Sequence, residues 1–155
     1  MRIYLDTNII HSWFRKFMES QRRGTSFEEP AILKFIFQVK DNEYIVSDIT
    51  KAEIIRYLSA EWGASKEECD YYWERFLRSY VVGYFRVEKM DFEEMGQVCQ
   101  TVKTKKKTMT NLLHLQAAKN EGLWLLTGEK DLAVKYRTYY DRIITYEDFR
   151  KMHAP

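Results

Sequence analysis

RIYLDTN, from Arg2 to Asn8, and LLTGEKD, from Leu125 to Asp131, share one pattern: a short apolar run that stops at polar and acidic residues. Ile3 to Leu5 is a strand candidate closed by Asp6, Thr7 and Asn8. Beyond it Ile10, Trp13, Phe14 and Phe17 recur at the spacing of one helical face. Leu123 to Leu126 is a second strand, with Glu129 and Asp131 just after it. A strand that ends in acid and is followed by a helix, met near both ends of a chain, points to a sheet wound with helices.

The same alternation runs through the rest of the chain. Gln21 to Ser26 is polar and reads as a loop, and Glu28 and Glu29 lead into Pro30, a fitting first-turn residue, and the stripe Leu33, Ile36, Phe37. Tyr44 to Val46 is a strand; Thr50 and Glu53 have capping-box spacing ahead of Ile54, Ile55 and Leu58. Gly63 ends that helix, and Ser65 with Glu68 opens another whose apolar side is Tyr72, Trp73, Phe76, Leu77 and Tyr80. Val81 to Val87 is β-rich in part, and Phe92, Met95, Cys99 and Val102 return to helical spacing. Met109 to about Asn120 is helical, Ile143 to Thr145 is a strand, and Thr145 with Asp148 caps a last short helix. Short strands separated by helices predict a mostly parallel sheet covered on both faces, a three-layer α/β fold. With no internal repeat and no Gly, Pro or Ser linker, residues 1–155 read as one domain.

Composition narrows the classes. Hydrophobic residues make up 45% and charged residues 31%, which excludes a disordered chain. Nine Phe, eleven Tyr and four Trp read as core filler with the tyrosines at its wet margins; only aromatics left at the surface could stack on bases. A net charge of +2 decides nothing about nucleic acid, because its placement matters more than its sum. Cys69 and Cys99 form no metal-spacing pattern and read as buried thiols in a reducing compartment. Asp6 interrupts the opening apolar run and no stretch approaches about twenty apolar residues, so a cytoplasmic protein without a membrane span is expected.

In an open parallel sheet, ligands gather outside the carboxyl ends of the strands. Asp6, Glu53, Glu129 and Asp131 all fall there, and clustered carboxylates call for a bound cation. Oxygen donors without a His or Cys set favour Mg²⁺ or Mn²⁺ over zinc. Each acid also has a local reading: Asp6 as a helix cap, Glu53 as the partner of Thr50, Glu129 and Asp131 as turn residues.

LDTNII at Leu5 to Ile10, SDITKAEI at Ser47 to Ile54, NLLHLQAA at Asn111 to Ala118 and LLTGEKDL at Leu125 to Leu132 resemble, in order, the four motifs of PIN-domain ribonucleases. The resemblance continues to IITYEDF at Ile143 to Phe149. It implies a PIN-like fold with Asp6 and Glu53 as the first two metal-binding acids and Glu129 as the fourth. Asn111 falls where the third acid is expected, and Asp131 is a further acid two residues after Glu129. Thr7 and Asn8 would steady the first acidic loop and Thr127 would orient the last. His114, three residues after Asn111 in apolar surroundings, reads as a hydrogen-bonded structural histidine.

Asn111 is the departure that matters, since an amide oxygen carries no charge. The resemblance implies endonucleolytic cleavage of RNA with Mg²⁺ or Mn²⁺, a homodimer, and often a toxin blocked by a small antitoxin protein. A degenerate RNA-binding or scaffold protein on the same fold is the alternative. A phosphotransfer protein would also group acids at strand ends, but no GxxxxGK loop is present. Lys103, Lys105, Lys106 and Lys107, just before the helix bearing Asn111, and Lys130 near the acids are expected to form an RNA phosphate track.

Overall fold

A computed structural model describes residues 1–102 and 107–155. Five strands, β1 (Arg2–Leu5), β2 (Glu43–Ser47), β3 (Gly83–Phe85), β4 (Trp124–Thr127) and β5 (Ile143–Thr145), form one sheet in the order β3-β2-β1-β4-β5, and every pairing is parallel. Between and after them run α1 (Thr7–Arg23), α2 (Ala31–Gln38), α3 (Asp48–Trp62), α4 (Lys66–Tyr80), α5 (Phe92–Thr101), α6 (Thr108–Asn120), α7 (Lys130–Tyr136) and α8 (Tyr146–His153). The expected three-layer α/β architecture is present.

The period of two along each strand divides the core. Ile3, Leu5, Tyr44, Val46, Leu126 and Ile144 face one layer, which α1, α2, α3, α4 and α8 cover. Tyr4, Ile45, Leu125 and Ile143 face the other, under α5, α6 and α7. On the first side Trp13 is ringed by Phe14, Phe17, Phe27, Phe76 and Tyr80, so much of the aromatic content is core. Tyrosines at its margin keep their hydroxyls paired: Tyr44 donates to the Ile36 carbonyl at 2.7 Å and Tyr80 to Glu29 at 2.6 Å.

The chain climbs outward from β1 to β2 and β3, then crosses back to β4 beside β1 and continues to β5. The loop after β1 enters α1 on one face and the loop after β4 leads to α7 on the other. Neighbouring strands whose helices leave in opposite directions open a crevice between their carboxyl ends, the binding position of doubly wound sheets.

Four local expectations need correction. The capping box of α3 is Ser47 with Thr50, not Thr50 with Glu53, which puts Glu53 in the second turn. Residues 21–23 continue α1, which ends at Gly24 in the left-handed conformation; the loop is correspondingly shorter. Pro30 is the N-cap of α2 rather than a first-turn residue. Phe92 does not join the apolar face of α5 and is 67% exposed. The boxes at Ser65–Glu68 and the cap at Thr145–Asp148 form as expected.

Candidate functional site

Asp6 occupies the N-cap position of α1, yet its side chain makes no capping bond. It is drawn sideways to β4. Asp6 Oδ2 accepts from the Thr127 hydroxyl at 2.8 Å and from Asn8 Nδ2 at 3.1 Å. Asn8 also receives the Gly128 amide on its Oδ1 at 2.9 Å, and the Thr127 hydroxyl accepts from the Glu129 amide at 3.1 Å. These bonds lock the β1 and β4 loops together across the crevice and hold Asp6 at 5% exposure with Oδ1 turned the other way. A capping residue would have spent its oxygen on the helix amides; this one is reserved for its neighbours and the crevice.

Glu53 arrives from α3 on the far side of Asp6. Its Oε1 accepts from the Thr7 hydroxyl at 2.8 Å and is hydrogen-bonded to His114 Nε2. His114 reaches up from α6 with its side chain 1% exposed, and its Nε2 also lies 4.0 Å from Asp6 Oδ1. The other ring nitrogen, Nδ1, is 2.6 Å from the Tyr4 hydroxyl, which is in turn 2.6 Å from Ser47 Oγ and 3.3 Å from Thr50 Oγ1. Burial alone would drive His114 neutral; the Glu53 bond and the charges of Asp6 and Glu53 outweigh it and lift its pKa above the ordinary histidine value. For Glu53, burial pushes upward, but His114, Thr7 and Arg56 together bring its pKa below the ordinary carboxylate value. Buried and flanked by acids, Tyr4 is held well above the usual phenol range and stays neutral. The inner wall is therefore a buried histidine hydrogen-bonded to Glu53, close to Asp6, and braced by a neutral tyrosine.

Outward from these groups lies a cavity of about 650 Å³ lined by Asp6, Thr7, Asn8 and His11 of the first loop and α1, by Glu53, Arg56 and Tyr57 of α3, by Lys107, Thr110 and Asn111 at the start of α6, and by Glu129. Lys107 Nζ stands 3.9 Å from Glu129 Oε1. Burial, together with the charges of Arg15 and Lys107, holds His11 below the ordinary histidine pKa.

Asp6, Glu53, Asn111 and Glu129 thus come together, as do the supporting Asn8 and Thr127; Thr7 serves Glu53 rather than the Asp6 loop. Asp131 does not join them: it lies on α7, its side chain 86% exposed, and it faces Lys135 at 3.8 Å. Lys130 is likewise turned away, paired with Glu147 at 2.6 Å. Both sit in a helix whose first turn carries them past the rim. Lys103, Lys105 and Lys106 lie outside the described residues. His114 is the hydrogen-bonded histidine expected from its surroundings, but its partners are the site's own acids, a role that three-residue spacing from Asn111 could not reveal. Sequence reading passed over Tyr4, Arg56 and Tyr57; for Arg56 and Tyr57 the available signal was their place one turn after Glu53.

Among the described residues, no three His, Cys, Asp or Glu side chains close on one point as a ready coordination shell. No helix among them is long and apolar enough to cross a membrane. No family model matches the chain. No curated protein matches it. Among solved structures, it is similar to a domain of a functionally unknown protein from Methanocaldococcus jannaschii DSM 2661, at 13% identity and a TM-score of 0.48 over 93% of this chain and 89% of that one.

Proposed function

We propose that this protein is a Mg²⁺- or Mn²⁺-dependent endoribonuclease that hydrolyses phosphodiester bonds in the crevice between β1 and β4. The observation that carries the reading is that Asp6, Glu53 and Glu129, from three separate segments, line one cavity at the sheet's switch point. The ordered resemblance of four sequence stretches to PIN-domain ribonucleases supplies the substrate class. The donor set fits a hard cation: carboxylate oxygens with the Asn111 amide, and no sulfur.

Asp6 and Glu129 would be the principal holders, with Asn111 orienting a water. Such an ion, when bound, acidifies a water and offsets charge on the phosphoryl oxygens. The protein's own groups do the rest. Thr127 and Asn8 fix Asp6 so that Oδ1 faces away from them, and Thr7 and His114 fix Glu53 on one oxygen. His114 Nε2 stands between Asp6 and Glu53, hydrogen-bonded to Glu53. Arg56 and Lys107 at the walls attract the phosphate. A homodimer and a small inhibitory protein partner belong to the same reading, and gel filtration and copurification would reveal them.

The test is cleavage of single-stranded and structured RNA with and without Mn²⁺. Wild-type protein should cleave only with the ion. Asp6→Asn, which keeps the size and one acceptor, should lower the rate about 100-fold or more while retaining the native melting profile. Wild-type rates in that variant at limiting ion would remove Asp6 from the reading. A specific observation favours a second reading, a noncatalytic RNA-binding scaffold: Asn111 is neutral and one Glu53 oxygen is already shared by Thr7 and His114. RNA binding without ion-dependent turnover would select it.

A further inference from the structure

α1 and α3 lie side by side, and their polar contacts come in layers. At the inner layer the Thr7 hydroxyl meets Glu53. About one turn on, at i+4 in both helices, stand His11 and Tyr57, about 6 Å further along each axis. Their ring centroids are 3.9 Å apart and tilted by 51°, and both line the cavity. They are half-buried, whereas Trp13, Phe14 and Phe76 are sunk in the core. The cavity is far larger than a hydrated cation needs and lies in the roughly 300–1,000 Å³ range that encloses a ligand of nucleotide size.

We infer that the His11–Tyr57 pair is a seat for an unpaired nucleobase, placed one helical turn from the acids that would face that nucleotide's phosphate. The inference rests on the ribonuclease reading for the identity of the strand and deepens it to single-stranded RNA. The acids of the cavity oppose the attraction of Arg56 and Lys107 for phosphate, so a contact that does not depend on charge adds affinity here. Stacking on an aromatic platform is such a contact, and it accepts any base because every base has a π-face. Arg56, adjacent to Tyr57 and lining the same cavity, supplies a cation for the backbone leaving the seat. A base paired in a duplex cannot reach the platform without leaving its stack, which selects single strands.

The experiment is fluorescence anisotropy without divalent ion, so that it needs no turnover, comparing oligoadenylate with an abasic ribose-phosphate chain of the same length. Wild-type protein should prefer oligoadenylate. Tyr57→Ala and His11→Ala should each lose about tenfold in affinity for oligoadenylate and none for the abasic chain. Tyr57→Phe should keep the preference, and 2-aminopurine placed in the strand should be quenched by wild-type and Tyr57→Phe protein but not by Tyr57→Ala. Equal wild-type binding of the two chains overturns the seat, as does an equal loss on both chains in the alanine variants. Base preference in a protein that never cleaves RNA sinks the nuclease reading and leaves the seat. Ion-dependent cleavage without base preference does the reverse.

Discussion

Glu53 and Thr50 show how one local spacing can fit two frames. Ser47–Thr50 and Thr50–Glu53 both stand three apart, and only the second matches the Ser/Thr-x-x-Glu pattern, yet the first forms the box. Tertiary partners decide: Ser47 ends β2 and takes the cap, which releases Glu53 to Thr7 and His114. Tyr4 is the residue on which this inner wall rests. Its hydroxyl joins Ser47, Thr50 and His114 in a fully buried place, and Tyr4→Phe would leave His114 Nδ1 and the Ser47 hydroxyl short of a partner. The variant should lose about 1–3 kcal/mol of stability, read as a lower urea midpoint with an unchanged slope. An unchanged midpoint would show that the hydroxyl network contributes nothing net. The acids were legible because strand-end polarity is a local signal. The Tyr4–His114 pairing was not, since it spans 110 residues and each partner, taken alone, is an ordinary member of an apolar run.

At the scale of elements, the helices were read best where a cap and a buried stripe agree. In α4 the Ser65–Glu68 box forms, and Glu68 gains further partners in Tyr72 and in Arg22 of α1. The Arg22 contact pins the end of α1 to the start of α4, which fits α1 running through Arg22 and Arg23 where local polarity suggested a loop. Phe92 misled in the opposite sense. It is the first residue of α5, and side chains there lean back off the helix end, so it misses the sheet beneath. The Glu68 carboxyl is held below its ordinary pKa by the Ser65 amide, then by Tyr72, with Arg22 adding to both. A depressed folded pKa contributes stability above the unfolded value of about 4.3 and loses it as pH falls through the folded one. Because the group is well solvated, Glu68→Gln should cost only about 0.5–1 kcal/mol at neutral pH. Denaturation midpoints of the two proteins should converge as pH falls through the depressed folded pKa of Glu68. A gap that persists in acid would assign the loss to packing instead of charge.

At the scale of the whole molecule, what the sequence could not order was the sheet. Local periodicity finds five strands but does not say that β4 returns beside β1, and that adjacency is what brings Glu129 to Asp6 and sends Asp131 past the rim. The result is a cavity where segments distant in sequence sum their charges. Asp6, Glu53 and Glu129 contribute three negative charges, Arg56 and Lys107 two positive ones, and Asn111 none. Wild-type protein is therefore partly compensated without an ion and should bind Mn²⁺ weakly. Asn111→Asp adds a charge in the first turn of α6, where the helix N-terminus favours it by about 0.3–1 kcal/mol and the neighbouring acids oppose it. Without metal these effects offset, and the melting temperature should stay the same or fall slightly. With Mn²⁺ the added carboxylate should tighten binding about tenfold, since affinity for such ions follows ligand charge. At saturating ion that becomes about 1.4 kcal/mol of extra stabilisation over wild type. Calorimetric titration and melting with and without Mn²⁺ measure the two halves separately. A folded variant whose Mn²⁺ affinity matches the wild type would mean that Asn111, although it lines the cavity, does not face the place where a cation sits.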